Sequence, residues 1–409
     1  MQLAAQQADS IEARTGLRLE ITRVAVRNLS REREVHIEPG VLGNDAHAVV
    51  ESDDVDLVVE VIGGIEPARE LIATSLGKGK PVVTANKELL ANVGTELFAA
   101  ADNAGMDLLF EAAVAGGIPL IRVLRESLRG EPIRRVLGIV NGTTNFILTK
   151  MAEQGADYAS ALSEAQRLGF AERDPTADVE GFDAGAKAAI MATIAFGTKV
   201  VAGDVYHEGI SGISPADIAM ATRLGYVVKL LAICEQDHET GEVAVRVHPA
   251  MVANHHPLAS VRESFNAVFV EGAAVGSLMF YGRGAGGMPT ASAVLGDVID
   301  AAVNLHHGTH GSLGSFGRAH IRPIDQTSSE FLLSLDVADR PGVLHSVTGV
   351  FARNDVSIRA AEQEGLRDDA RLVFITHEAM ESSVQACLRE LRELDVVKRV
   401  GSLLRVIGG

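Results

Sequence analysis

The sequence has no tryptophan, 4% aromatic residues and two cysteines in 409 residues. Cys234 and Cys387 lie far apart and form no C-x-x-C pair. Neither a disulfide framework nor a dithiol centre is therefore expected, and a reducing cytoplasm fits. His248, His255, His256, His306, His307 and His310 gather in two stretches, but no H-E-x-x-H pattern accompanies them, so no transition metal is expected. No apolar run reaches the roughly 18 residues of a membrane span. The opening "MQLAAQQADSIEARTG" lacks the basic and apolar regions of a secretory signal. Basic residues are in deficit: 37 Lys and Arg stand against 54 Asp and Glu, a net charge of −17. That argues against nucleic acid as a partner, which needs clustered cations. A small anion needs only a local site.

What is present is 47% hydrophobic side chains, dominated by Ala, Gly and Val, enough for two or three packed domains. Residues 2–14 read as a helix and "LRLEITRVAVRNL" (17–29) as a strand. "VDLVVEVIGG" (55–64), "PVVT" and "MDLLFEAAVAGGIP" (106–119) read as further strands. Helical stretches "EPARELIATSLGKG" and "NKELL" lie between them. Alternating strands and helices predict a parallel, doubly wound α/β sheet, whose ligands bind outside the carboxyl ends of the strands. Gly63, Gly64, Thr84 and Lys87 fall at such ends.

The middle of the chain mixes longer helices with strands such as "IRRVLGIV" and "EVAVRVHP". "YGRGAGGMPTASAVLGDVIDAAVN" is a glycine loop followed by a helix. Residues 306–329, rich in Gly, Ser and His, read as a linker. Residues 330–409 then follow the order βαββαβ, the ferredoxin-like arrangement.

A doubly wound nucleotide fold opens on a strand and G-x-G-x-x-G. No such fingerprint precedes the 17–29 segment. The expectation is that this strand and loop are encoded upstream of Met1; the alternative is a degenerate nucleotide domain.

The stretch "AERDPTADVEGFDAGAKAAI" (171–190) carries five carboxylates, Glu172, Asp174, Asp178, Glu180 and Asp183, before the single ammonium of Lys187. Asp183 and Lys187 are four apart, so on one helix they share a face. On spacing alone this is either a surface ion pair, stabilising by about 0.2–0.5 kcal/mol, or an acid–base pair at a site.

"TANKELL", "EAAVAGGIPL", "NGTTNFIL", the 171–190 stretch, "HPLASV" and "YGRGAGGMPTASAV" occur in the order and spacing of one enzyme family. The chain resembles homoserine dehydrogenase. Its tail, "DRPGVLHSVTGVFARNDVSI", resembles an ACT domain, a regulatory module common on enzymes of amino-acid biosynthesis. The resemblance implies reversible, NAD(P)(H)-dependent reduction of L-aspartate 4-semialdehyde to L-homoserine, on the way to threonine, methionine and isoleucine. It implies Lys187 as the general acid with Asp183 beside it. It implies Glu172, Asp183, Lys87, Gly142 and Thr143 at the substrate, and Gly63, Gly64, Thr84, Lys87, Gly169 and Gly284 at the cofactor. It also implies a monovalent cation, sodium or potassium, at Glu111, Val114, Gly116 and Ile118. An amino-acid effector, threonine, is expected at Asp339, Pro341 and Gly342.

NAD-specific folds place Asp or Glu after the second strand to hold the ribose hydroxyls. Here Arg27 stands there, with Arg31 and Arg33 nearby, so NADP(H) is expected over NAD(H). The expected domains are 1–118 with about 286–325 for the cofactor, 119–285 for catalysis and dimerisation, and 330–409 for regulation. A cytoplasmic homodimer or homotetramer is expected. The rival expectation is a catalytically inactive amino-acid sensor built on residues 330–409.

Overall fold

The computed structural model of the chain describes residues 1–33, 35–366 and 369–408. The chain folds into two compact units. The first comprises Met1–Ile133, Ala186–Asp204 and Val270–Ala319; the second comprises Arg134–Gly185, Val205–Phe269 and the described residues from His320 onward.

At the centre of the first unit lies a parallel sheet of Val58–Glu60, Val82–Thr84 and Leu108–Leu109, in that order. Val82, Val83, Leu108 and Leu109 are buried. Strands covered on both faces carry continuous apolar runs of this kind. The Gly287–His307 helix covers the sheet, packing Val294, Val298 and Ala301 on Val83 and Leu109. The expected strand over 17–29 is cut to Val24–Ala25, paired in parallel with Leu42–Gly43. Among the described residues its backbone partners lie at its centre, where the amides of Val24 and Val26 donate to the carbonyls of Val41 and Gly43. The residues before it are tied by side chains instead, Thr22 and Arg23 both reaching Asp54.

The second unit holds one sheet. Its strands lie in the order Phe265–Gly272, Ile133–Ile139, Tyr226–Gln236, Glu242–Ala253, Val397–Ile407, Ser328–Ala338, Asp369–Thr376 and Ile358–Leu366. The long antiparallel pair 226–236 with 242–253 keeps one register throughout. The tail has the expected βαββαβ order, with helices Val343–Arg353 and Glu381–Arg392. Its core is Phe331, Leu333, Leu335, Val347, Phe351 and Phe374 with their neighbours.

Two features depart from the sequence reading. The tail's last strand pairs in parallel with Glu242–Ala253, Ala250 opposite Arg405 and Val252 opposite Ile407, so two sequence modules share one continuous sheet. The segment read as a linker is structured at both ends. The preceding helix runs to His307, Gly317–Arg318 pairs with Thr198–Lys199, and His320–Ile321 pairs with Glu242–Val243. Arg322 secures the second pairing through Glu242 at 2.8 Å and Asp237 at 3.0 Å. Glycine and histidine content gave no warning of this, because the pairing depends on partners distant in sequence.

One buried cation braces the second unit. Lys229, 4% exposed, donates to Asn145 Oδ1 at 3.0 Å and to the Val261 carbonyl. Burial pushes its pKa down to about 8, against the opposing pull of Glu153. Between that value and 10.5 the unfolded chain binds a proton the folded chain has lost, so this site's contribution to stability rises with pH across the window. A Lys229→Met variant loses that rise. Denaturant unfolding of both proteins at about pH 7 and about pH 10 is expected to show the wild type gaining roughly 2 kcal/mol on the variant at the higher pH. An unchanged difference would mean that Lys229 titrates as an exposed lysine.

Candidate active site

In the first unit the strand ends are fastened to one another. Glu60, at the end of its strand, accepts from the amides of Ile62 at 2.8 Å and Gly63 at 3.3 Å. Its other oxygen accepts the Thr84 hydroxyl at 2.6 Å. Asn86 caps the Lys87–Ala104 helix through the Leu89 amide and donates to the Gly64 carbonyl at 2.7 Å. Gly63 and Gly64 both adopt left-handed φ, 75° and 76°; Gly63 is exposed, as are Val61 and Ile62 beside it, and Gly64 is half-buried. A side chain at either glycine would be strained. This is an apolar-flanked turn at the carboxyl ends of parallel strands, and a Cβ on Gly63 would meet nothing within 4 Å.

Thr84 itself is fully buried and its hydroxyl is used by Glu60. It shapes the turn and presents no side-chain atom to a ligand. Lys87 is exposed at the first position of its helix. Arg27 is exposed just beyond Val24–Ala25. Arg33 holds the following loop by donating to the carbonyls of Asn28 and Arg31.

A second glycine junction lies in the same unit. Ala115 and Gly116 are left-handed in succession. A Cβ on Gly116 would fall 2.3 Å from the Gly284 carbonyl oxygen, and one on Gly117 2.8 Å from the Pro289 ring. The Gly117 amide donates to Arg283 O at 3.1 Å. Two loops assigned separately in the sequence therefore touch backbone to backbone. The 276–283 strand, this loop and the 287–307 helix carry glycines at 282, 284 and 287, a G-x-G-x-x-G spacing between strand and helix.

Glu111 is buried, and its carboxylate accepts three backbone amides, of Leu120 at 2.5 Å and of Ile121 and Arg122 at 2.8 Å. Its own amide donates to Asp297, which also receives Arg122 at 2.9 Å. Burial holds the Asp297 carboxyl up at about 6. Neither Asp297 nor Arg122 stood out in the sequence, because they are 175 residues apart. Ile118 and Val114 are buried in the same turn. Among the described residues no group of three or more His, Cys, Asp and Glu could hold a metal ion.

In the second unit the "NGTTN" stretch opens the Gly142–Gln154 helix. Asn141 caps it, its Oδ1 accepting the Thr144 amide at 2.9 Å. The nitrogen of the same side chain donates to two carboxylates, Asp178 at 2.7 Å and Asp183 at 2.9 Å. One buried amide thus gathers two negative charges at the start of the Phe182–Phe196 helix. Asp183 is buried; Lys187 follows one turn later, half-buried, ahead of the buried run Ala188–Ala192.

Gly142 has no room for a side chain: a Cβ would lie 2.7 Å from Ser264 O. Asn145 fixes that neighbouring turn by donating to the carbonyls of Glu263 and Phe265. Thr143 is buried and donates to Phe170 O at 2.5 Å. It thereby anchors the loop bearing Gly169, left-handed at 79°, and Glu172, both exposed. Asp339, Pro341 and Gly342 form the exposed turn between the first strand and helix of the tail, with Gly342 at φ 91°. Gln363 donates to Asp339 at 3.4 Å.

Comparison with known proteins agrees along the whole chain. Residues 1–111 match the model described as homoserine dehydrogenase, NAD binding domain; residues 119–299 match homoserine dehydrogenase; residues 331–396 match the ACT domain. The homoserine dehydrogenase of Corynebacterium glutamicum is 51% identical, over 99% of this chain and 92% of that protein. That of Bacillus subtilis is 42% identical, over 98% and 93%. The crystal structure of a homoserine dehydrogenase from Thiobacillus denitrificans superposes with TM-score 0.93 at 39% identity, covering 99% of this chain and 94% of that one. A hyperthermophilic archaeal homoserine dehydrogenase solved with NADPH gives TM-score 0.57 at 30% identity, over 73% and 83%. This is an oxidoreductase with a nicotinamide cofactor and an ACT domain, not an inactive sensor. The chain belongs to the homoserine dehydrogenase family.

Proposed function

We propose that Lys187 is the general acid–base of the reaction, with Asp183 and Asn141 fixing its surroundings. The observation that carries this is the Asn141 amide shared by Asp178 and Asp183 one turn before Lys187. The substrate brings an ammonium, a carboxylate and a carbonyl oxygen that becomes a hydroxyl. Clustered carboxylates suit the ammonium, and a lysine suits the oxygen. The bound dinucleotide supplies the hydride. The Lys187 ammonium gives the carbonyl oxygen its proton, and in the reverse direction the amine takes the hydroxyl proton. Glu172 is assigned to the substrate ammonium and Lys87 to the carboxylate and nicotinamide end. Gly142 and Thr143 shape the pocket, Thr143 by tethering the Gly169–Glu172 loop.

The dinucleotide is assigned to the turn at Gly63 and Gly64 and to Gly169 and Gly284. Thr84 shapes the turn from beneath. NADP(H) is preferred on this reading, since exposed Arg27 can meet a 2′-phosphate. A sodium or potassium ion is assigned to carbonyls of the Val114–Ile118 turn. Glu111, already receiving three amides, shapes that turn and lends it charge. Threonine is assigned to the Asp339–Gly342 turn as effector, in a cytoplasmic homodimer or homotetramer.

Homoserine-dependent reduction of the cofactor, followed by nicotinamide absorbance, tests these roles. Lys187→Ala is expected to lower kcat about 10²–10⁴-fold while the protein stays folded. A variant retaining near-normal kcat would remove Lys187 from the chemistry. Arg27→Asp is expected to shift the kcat/KM ratio of NADP⁺ to NAD⁺ about 10-fold or more towards NAD⁺, the loss of one charge-assisted contact. An unmoved ratio would place the 2′-phosphate elsewhere. Threonine is expected to inhibit the wild type and to inhibit Gly342→Val less; equal inhibition of both would move the effector site.

A further inference from the structure

The deepest cation of the second unit belongs to the C-terminal strand. Arg405 is 1% exposed, a position tolerated only when the charge is paired. Its guanidinium is divided between two carboxylates. Nε and one terminal nitrogen donate to Glu381 at 2.7 and 2.8 Å. Both terminal nitrogens donate to Glu208 at 3.1 and 2.9 Å. Glu381 lies in the tail, on the 381–392 helix. Glu208 lies in the catalytic portion, directly after the Tyr206–His207 strand. The Tyr206 hydroxyl also donates to Glu208, and the Arg405 guanidinium lies 5.9 Å from the centre of that tyrosine ring.

Residues 207–210 are pressed against the turn that carries the active-site aspartates. The Glu208 amide donates to Val247 O and the Ile210 amide to Val179 O, both at 2.8 Å. A Cβ on Gly209 would lie 2.5 Å from Val179 O and 2.7 Å from Glu180 Cα. Gly181, left-handed at 86°, leaves 3.3 Å between such a Cβ and Glu208 O. The His207 ring meets the Phe182 ring at 4.3 Å. Residues 179–182 join Asp178 to Asp183, the two carboxylates on Asn141. One rigid, two-residue contact therefore separates the bidentate Arg405–Glu208 pair from the helix start that bears Asp183.

We infer that Arg405 is a positioning residue for the reaction: by clamping Glu208 it seats residues 207–210 beneath the 178–183 turn and so sets the placement of Asp178 and Asp183 at the substrate. The C-terminal module is then a wall of the substrate site as well as a regulatory attachment. A bidentate guanidinium–carboxylate pair fixes orientation in a way one lysine contact does not. The two acids on Arg405 have separate roles. Glu381 neutralises the buried charge from within the tail; Glu208 transmits its position to the active-site turn.

The inference rests on the substrate lying at Asp183, as proposed above, so Asp183→Ala is measured alongside. Steady-state homoserine oxidation is followed with the nicotinamide cofactor saturating, on the full chain, for Glu208→Gln, Glu381→Gln and Arg405→Lys. Thermal unfolding is recorded for each. Glu208→Gln is expected to raise the KM for homoserine about tenfold, the scale of a small misplacement at a reacting centre, with the KM for the cofactor unchanged. Arg405→Lys is expected to raise it by a smaller factor. Glu381→Gln is expected to lower the melting temperature and leave the homoserine KM in place. Equal KM effects from the two acid variants would reduce the bridge to a structural one and overturn the inference. A folded Glu208→Gln protein with unchanged homoserine KM would also overturn it. If Asp183→Ala left that KM unchanged, the substrate assignment itself would fall, and the inference with it.

Discussion

The start of the Phe182–Phe196 helix is organised by one amide. The Asn141 side chain caps a helix with its oxygen and holds two carboxylates with its nitrogen. Asp178 and Asp183 are like charges brought close together, an arrangement unfavourable unless something donates to both. The amide does so without adding charge. The cap pins Asn141 to the Gly142–Gln154 helix, and Gly142 allows that helix to approach Ser264 at a distance no side chain would permit. The carboxylates are thus located by backbone contacts that cannot slide.

The same device recurs wherever loops must meet. Gly209 against Val179 and Gly116 against Gly284 are close approaches of main chain to main chain. In each case the glycine removes the Cβ that would hold the segments apart. A protein with 41 glycines uses several of them in this way. The site is built from touching turns, with few long side-chain bridges, and the buried Arg405 bridge is the main exception. It joins two sequence modules in one sheet, so a change in the tail has a short mechanical route to the aspartates.

Much of this was legible in the sequence for local reasons. Short apolar runs marked 58–60, 82–84 and 133–139, and alternating and helical periods marked the βαββαβ tail, because burial writes itself into neighbouring residues. The 17–29 strand was over-read because alternation alone does not supply a pairing partner; only Val24–Ala25 has one. The linker over 306–329 was misread for the converse reason: its strands exist through pairing with residues more than 70 positions away. The roles of Thr84 and Thr143 as braces, of Asp297 behind Glu111 and of Glu208 under Arg405 had no local signal, since each contact joins distant parts of the chain.

The most direct test of this account is the kinetics of Asn141→Ala with homoserine as the varied substrate. The account predicts a fall in kcat/KM for homoserine of about tenfold or more, as expected when a hydrogen bond to two charged groups is lost. The cofactor KM and the folded state would be preserved. A folded variant with unchanged kcat/KM for homoserine would contradict it, because the two aspartates would then be placed without the amide.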